Sequence, residues 1–292
     1  MLFDLKFLRS LRLLHIMTRR HFRGEKIGHR KSLDRGVSVE FAEYKDYQPG
    51  DDLRFIDWNL YGRLEKLYVK KFHSEEDLQI SVFLDTSASM AFGKPSKFDH
   101  ARRLAAGIAF IAYQNQDAAR VQVFSDGLGT PSDSGYRPGH IHRLMGFLEK
   151  LQPSGRRTDF GASIQSFLAR TRRPGVVFVL SDALGASDLY DGLKRLRFRG
   201  FEVTFIQILA PDEINPDLAG LVDLIDSEDG SRVSLQISSQ ILTVYEEVLR
   251  EELDSLKQFL VQQQMGYFRS LTSTPFETAL LSMFQSPGRG TA

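Results

Sequence analysis

From about residue 77 onward, apolar residues come in short, dense runs. Leu78 to Leu84, Ala119 to Phe124, Gly175 to Leu180 and Phe201 to Leu209 are rich in Val, Ile and Phe. Runs of this length predict strands buried on both faces of a parallel sheet. Between them the spacing changes to three and four. Ala101, Leu104, Ala105, Ile108, Ala109 and Ala112 form one stripe, and Ile141, Leu144, Phe147, Leu148 and Leu151 a second. Ile164, Phe167 and Leu168 mark a third, and Leu193 and Leu196 a fourth. Each predicts a helix with one face on a core. Ile241, Val244, Tyr245, Val248 and Leu249 open a long helix, Gly266 to Leu271 reads as a last strand, and Pro275 starts a terminal helix. Leu221 to Ile237 reads as a hairpin around Glu228-Asp229-Gly230, added antiparallel near the sheet edge. The alternation predicts a doubly wound α/β fold with a six-stranded, mostly parallel sheet and helices on both faces.

Residues 1–76 have a different texture. They mix basic, aromatic and acidic residues without a clean period, and they hold the only tryptophan, Trp58. The expected organisation is therefore an N-terminal region, 1–76, a sheet domain, 77–285, and a small polar tail, 286–292. Within Met1 to Met17, Leu5, Leu8, Leu11 or Arg12, and His15 recur at helical spacing and predict an amphipathic helix. Asp4, Lys6, Arg9 and Arg12 interrupt it. No uncharged run approaches the roughly 20 residues that span a bilayer, and no small-residue cleavage site follows. Residues 1–35 carry ten Lys/Arg against Asp4, Glu25 and Asp34. Two readings of this basic segment stay open: packing on its own domain, or peripheral docking on an anionic membrane surface or an acidic partner.

Composition narrows the function classes. Hydrophobic residues make up 42% of the chain and charged residues 26%, enough for a sizeable core. The 38 basic and 37 acidic residues nearly cancel, which argues against a dedicated nucleic-acid coat. A local patch at Arg19, Arg20, Arg23, Lys26, Arg30 and Lys31, with Phe22 interleaved, keeps nucleic-acid binding as a minor rival with a steep salt dependence. The chain has no cysteine, so disulfides, thiolate zinc sites and cysteine nucleophiles are excluded. Such a composition is compatible with a reducing cytoplasm, the expected location.

In open α/β sheets the ligand site lies outside the carboxyl ends of the strands. The first strand of the sheet domain ends in Asp85-Thr86-Ser87-Ala88-Ser89, which reads D-x-S-x-S. A carboxylate and two hydroxyls on one turn are hard oxygen donors of the kind that suit Mg²⁺ or Mn²⁺. A buried carboxylate with no partner is costly, so a cation gives the cluster a physical reason. Alone, the pentad is a weak pattern, better explained by capping of the following helix. Two further oxygens fall at the same rim: Asp182, directly after Val176 to Ser181, and Thr158, in the polar loop between Gly155 and Gly161.

That order resembles the von Willebrand factor type A domains and their metal-ion-dependent adhesion site, over roughly residues 77–285. The resemblance implies that Ser87 and Ser89 coordinate a Mg²⁺ or Mn²⁺ ion directly, while Thr158, Asp85 and Asp182 bind it directly or through water. It also implies an open sixth position, filled by a carboxylate from a partner protein. A second resemblance is narrower. Gly28-His29-Arg30-Lys31-Ser32, Glu40-Phe41, the run Tyr47-Gln48-Pro49-Gly50-Asp51-Asp52-Leu53-Arg54-Phe55-Ile56-Asp57-Trp58, and Arg63 to Lys70 are similar to the signature of the bacterial domain of unknown function fifty-eight family. The chain departs from it at Tyr44-Lys45-Asp46, where an arginine before an acidic residue is more usual, and at Gly62, where alanine is common. Members are typically encoded beside MoxR-type AAA+ ATPases, and the resemblance implies an adaptor or chaperone-like role with such an ATPase and its client. Arg54, Asp57 and Trp58 read either as a latch, an ion pair with a buried aromatic, or as a partner-binding element.

The enzymatic rival is a phosphotransferase of the haloacid-dehalogenase type using Asp85. That chemistry needs a general acid two residues on, and Ser87 stands there. A serine hydrolase would need a G-x-S-x-G elbow, and none is present. Of the seven histidines, none has an evident nucleophile to serve, and His140 and His142 read as surface residues of a helix. Neither G-x-x-x-x-G-K-[ST] nor G-x-G-x-x-G occurs, so direct nucleotide binding is not expected. The reading is a non-enzymatic, metal-dependent interaction module.

Overall fold

The computed structural model describes residues 2–4, 7–11, 13–14, 41–72, 78–135, 139–154, 158–184 and 188–285. The chain forms two compact units, Glu25–Asp77 and the combination of Met1–Gly24 with Leu78–Ala292. The described residues among 2–14 thus group with the sheet domain, whereas the sequence reading set 1–76 together.

The larger unit is built on a parallel sheet of five described strands. These are β3 (Gln79–Asp85), β4 (Ala118–Phe124), β5 (Val176–Ser181), β6 (Glu202–Leu209) and β9 (Gly266–Leu271). Their order is β4-β3-β5-β6-β9, with every neighbour parallel. Each strand matches an apolar run to within a residue or two, because Val, Ile and Phe pack well on a pleat covered on both sides. The two-residue period decides which core each residue joins. On β3, Ile80, Val82 and Leu84 enter one cluster while Phe83 enters the other. On β5, Val176, Phe178 and Leu180 go one way, and Val177 and Val179 the other.

Helices cover both faces. The first cluster takes buried residues from α2 (Lys97–Gln114), α3 (His140–Lys150) and α8 (Phe276–Gln285). The second takes them from α4 (Phe160–Arg170), α5 (Leu189–Phe198) and α7 (Ser239–Gln262). The N-terminal segment joins the first cluster. Phe3, Phe7, Leu11 and Leu14 are buried there, and Phe7 stacks on Phe276 with ring centroids 4.7 Å apart. Burying a side chain of this size stabilises by roughly 1.5–3 kcal/mol. The apolar side of that segment therefore lies inside its own domain. Leu5, Arg12 and His15 of the expected stripe lie outside the described residues. Among the described residues no helix is long and apolar enough to cross a membrane.

The expected sixth strand is absent from this sheet as described. The hairpin forms as anticipated, β7 (Gly220–Ile225) antiparallel to β8 (Arg232–Ile237), but as a separate two-stranded sheet. Several of its apolar residues are too exposed for a sheet edge packed on a core: Leu221, Ile225 and Val233 are each more than half exposed, and only its last residue, Ile237, is buried. A further element not anticipated is α6 (Pro211–Ile214), one turn immediately after β6. His140 also differs from expectation. At the first turn of α3 it is buried, with Nε2 3.3 Å from the Ala119 carbonyl oxygen, whereas His142 is exposed.

In the smaller unit β1 (Phe41–Asp46) pairs antiparallel with β2 (Tyr68–Phe72), and α1 (Trp58–Leu64) lies between them in sequence. Asp57 caps α1, its Oδ1 accepting from the Asn59 and Leu60 amides at 3.0 and 3.1 Å. A latch exists here, with different members from those expected. Asp57 Oδ2 pairs with Lys70 Nζ at 3.0 Å and accepts from the Tyr44 hydroxyl at 2.9 Å. Arg54 pairs instead with Asp52 at 2.6 Å on the surface, and Trp58 is 63% exposed. Gly28 to Ser32 and Glu40 lie outside the described residues.

Candidate functional site

The chain runs from β3 to β4 on one side of it, then crosses back to β5 on the other. Strand order therefore reverses between β3 and β5, and a crevice at such a switch point is where open α/β sheets bind ligands. Asp85 ends β3 and Asp182 follows the end of β5, so both carboxylates stand at that crevice.

Asp85 is only 1% exposed. Its Oδ1 accepts the Ser87 amide at 2.9 Å, and its Oδ2 accepts the Ser181 hydroxyl at 2.5 Å. Parallel register explains the second contact: Leu84 pairs with Leu180, so the next residues, Asp85 and Ser181, are neighbours across the strands. The turn after β3 is a short 3₁₀ segment, Ala88–Ala91, which brings Ser87 Oγ within 3.1 Å of Ser89 Oγ. Ser87 is fully buried, whereas Ser89 is partly open to solvent.

Asp182 is also buried, and its Oδ2 lies 2.6 Å from the ammonium of Lys97. Lys97 is itself 1% exposed and reaches Glu213 Oε1 at 2.5 Å. The backbone at Asp182 is fixed from the neighbouring strands: Gln207 Nε2 donates to its carbonyl at 3.1 Å, and Tyr267 donates to Gln207 Oε1 at 2.7 Å. Thr158 is half-buried in a loop held at both ends against the same rim. The Ser154 amide donates to the Thr86 carbonyl at 2.9 Å, and the Asp159 amide to the Ser125 carbonyl at 2.7 Å. The structure thus joins Asp85 to Ser87, and Ser87 to Ser89, by direct contact. Asp182 reaches Asp85 through its charge, and Thr158 is placed by its loop anchors.

The electrostatics of the two buried aspartates are those of a repelling pair. Burial, and then the charge of Asp182, pushes the Asp85 carboxyl up to about 6, against the opposing hydrogen bonds from Ser181 and Ser87. For Lys97 burial works against the charge, yet Asp182 and Glu213 outweigh it and hold the ammonium above its ordinary value. Among the described residues there is no group of three or more His, Cys, Asp or Glu side chains suited to a metal ion. The donors here are two carboxylates and hydroxyls. That set fits a hard, oxygen-preferring divalent cation, with Ser89 and Thr158 on the side nearer solvent.

Sequence reasoning missed Ser181, Lys97 and Glu213. One signal for Lys97 was available. It is the first residue of α2, where the helix macrodipole disfavours a cation, so a lysine there needs carboxylate partners.

The family model for "Protein of unknown function DUF58" matches residues 43–254. An uncharacterized protein of Mycobacterium tuberculosis is 28% identical over 233 residues, 78% of this chain and 73% of that protein. Among solved structures, BatB from Bacteroides thetaiotaomicron is similar with a TM-score of 0.48 and 16% identity, covering 71% of this chain and 96% of that one. An aerotolerance-related membrane protein from Bacteroides fragilis gives 0.46 and 18%, covering 71% and 97%. The SpRpn10 VWA domain gives 0.42 and 14%, covering 74% and 100%. The fold assignment rests on the strand order and register described above.

Proposed function

The chain belongs to the DUF58 family of proteins of unknown function, and from that premise we propose that it is a non-enzymatic, metal-dependent interaction module. The observation that supports this reading is the pair of buried carboxylates, Asp85 and Asp182, at the switch point of the sheet, with serine hydroxyls beside them. In this reading Asp85, Ser87, Ser89, Thr158 and Asp182 hold a Mg²⁺ or Mn²⁺ ion. The bound ion supplies the positive charge that lets a partner carboxylate complete the site.

The chain's own residues do the rest. The Ser87 amide and the Ser181 hydroxyl orient Asp85. The Gln207–Tyr267 pair fixes the backbone that carries Asp182. Ser89 and Thr158, half-buried, leave the approach open on one side. The partner expected is a MoxR-type AAA+ ATPase, with the chain acting as an adaptor between that motor and its client. Contact through one metal-held carboxylate is reversible, as handing over a client requires.

The test compares capture of the purified cognate MoxR-type ATPase by the full chain in MgCl₂ and in EDTA, with wild type and Asp85→Ala. The expected outcome is capture by wild type in Mg²⁺, lost in EDTA and lost in the variant. Undiminished capture by a folded Asp85→Ala chain would overturn the reading and leave the pentad as a structural cap.

A further inference from the structure

The ammonium of Lys97 occupies a place that burial and the helix dipole both disfavour. It is 1% exposed, at the first residue of α2, and it sits between Asp182 Oδ2 and Glu213 Oε1. Glu213 is delivered there by α6, and its position is fixed twice. Its Oε2 accepts the Ala210 amide at 2.8 Å, and its carbonyl accepts the Tyr245 hydroxyl of α7 at 2.6 Å. The rim therefore holds three carboxylates, Asp85, Asp182 and Glu213, and one built-in cation.

We propose that Lys97 is a positioning residue that acts as the resident counter-cation of this site, holding Asp182 in the metal-free protein and thereby setting a modest affinity for divalent ions. This inference rests on the reading that Asp85, Ser87, Ser89, Thr158 and Asp182 bind a divalent cation. An incoming dication finds the charge of Asp182 already met by Lys97, so its net gain comes mainly from Asp85. Both Asp182 oxygens are engaged before it arrives, Oδ2 by Lys97 and Oδ1 by the Leu184 amide at 3.3 Å. Removing the ammonium leaves the buried Asp182 and the half-buried Glu213 without a counter-charge, which destabilises the metal-free fold and raises the attraction for a dication. Removing the charge of Glu213 does the reverse, since Lys97 then serves Asp182 alone and the rim is less negative.

The experiment is calorimetric titration of the EDTA-stripped full chain with MgCl₂ and MnCl₂, for wild type, Lys97→Met and Glu213→Gln, with thermal unfolding of each in EDTA and in MgCl₂. Lys97→Met is expected to bind roughly tenfold or more tighter than wild type, because a unit charge within a few ångströms is removed from a poorly solvated site. It should also unfold at a lower temperature in EDTA and recover in MgCl₂. Glu213→Gln is expected to bind more weakly than wild type. Opposite shifts in the two variants cannot come from general damage to the fold. Equal affinities in all three chains, with uptake by wild type, would overturn the role of Lys97 and leave the metal site standing. No uptake by any of the three would overturn the metal site itself, and this inference with it.

Discussion

Asp57 and Asp85 are both buried aspartates, one capping a helix and one ending a strand, and they are held in opposite ways. Asp57, in the smaller unit, has a full complement of partners: an ammonium, a phenol and two backbone amides. Lys70 first, then Tyr44 and the Leu60 amide, hold its carboxyl down at about 2. Asp85, at the end of β3, has one hydroxyl and one amide, and it faces the charge of Asp182. Burial and that charge push it up to about 6. The contrast separates a latch from a site. A carboxylate whose counter-charge is built in stabilises the fold, whereas one facing another carboxylate carries a cost that a bound cation would remove.

The largest expected effect follows from that cost and from a second buried group, His100, whose Nε2 lies 2.8 Å from the Ser270 hydroxyl. Burial, and then the charge of Arg103, pushes His100 down to about 4. For Asp85 the folded value, about 6, lies above the ordinary 3.8, so in metal-free protein stability falls as pH rises through that window. For His100 the folded value lies below the ordinary 6.5, so the unfolded chain binds the extra proton and stability falls as pH drops from 6.5 towards 4. The two contributions run in opposite directions and oppose each other between pH 4 and 6. Denaturant titrations between about pH 4.5 and 6 in EDTA, above the range where depressed carboxyls such as Asp57 titrate, should therefore give a wild-type slope shallower than that of either variant. Asp85→Asn should rise with pH, and His100→Gln should fall. A wild-type-like curve for Asp85→Asn would break the contrast, because Asp85 would then be as well compensated as Asp57.

The smaller effect lies on the latch. Asp57→Asn keeps an oxygen for the α1 cap and loses the charge facing Lys70. Because the Asp57 value is depressed, its contribution is present above the ordinary carboxylate range and lost as pH falls towards 2. The variant is expected to unfold at a modestly lower temperature at pH 7, with Mg²⁺ uptake unchanged. A change in Mg²⁺ affinity would show that the two regions are coupled, and the comparison between them would no longer hold.

The sheet was readable in the sequence because its strands are covered on both faces. Continuous runs such as Val176 to Leu180 leave no other economical structure. The strand-end residues Asp85, Ser87, Ser89 and Asp182 were readable for the same reason: once the strands are placed, their carboxyl ends are known. The Lys97 contacts with Asp182 and Glu213 were not, since they join residues 85 and 116 positions apart across the rim. Glu213 depends moreover on α6, a single turn too short to leave a periodic signal. The latch was half-read. Asp57 was named, but its ion-pair partner was set by the register of β1 against β2, which pairs Tyr44 with Lys70. Trp58 shows the limit of reading a lone aromatic as core, since its side chain is exposed.

The central claim is that the carboxylate pair at the switch point is completed by a divalent cation. Its most direct test is calorimetric titration of the EDTA-stripped full chain with MgCl₂, wild type beside Asp85→Asn. The account predicts single-site uptake by wild type and none by the variant, which should be at least as stable as wild type at neutral pH without metal. Equal uptake by both chains, or none by either, would contradict it.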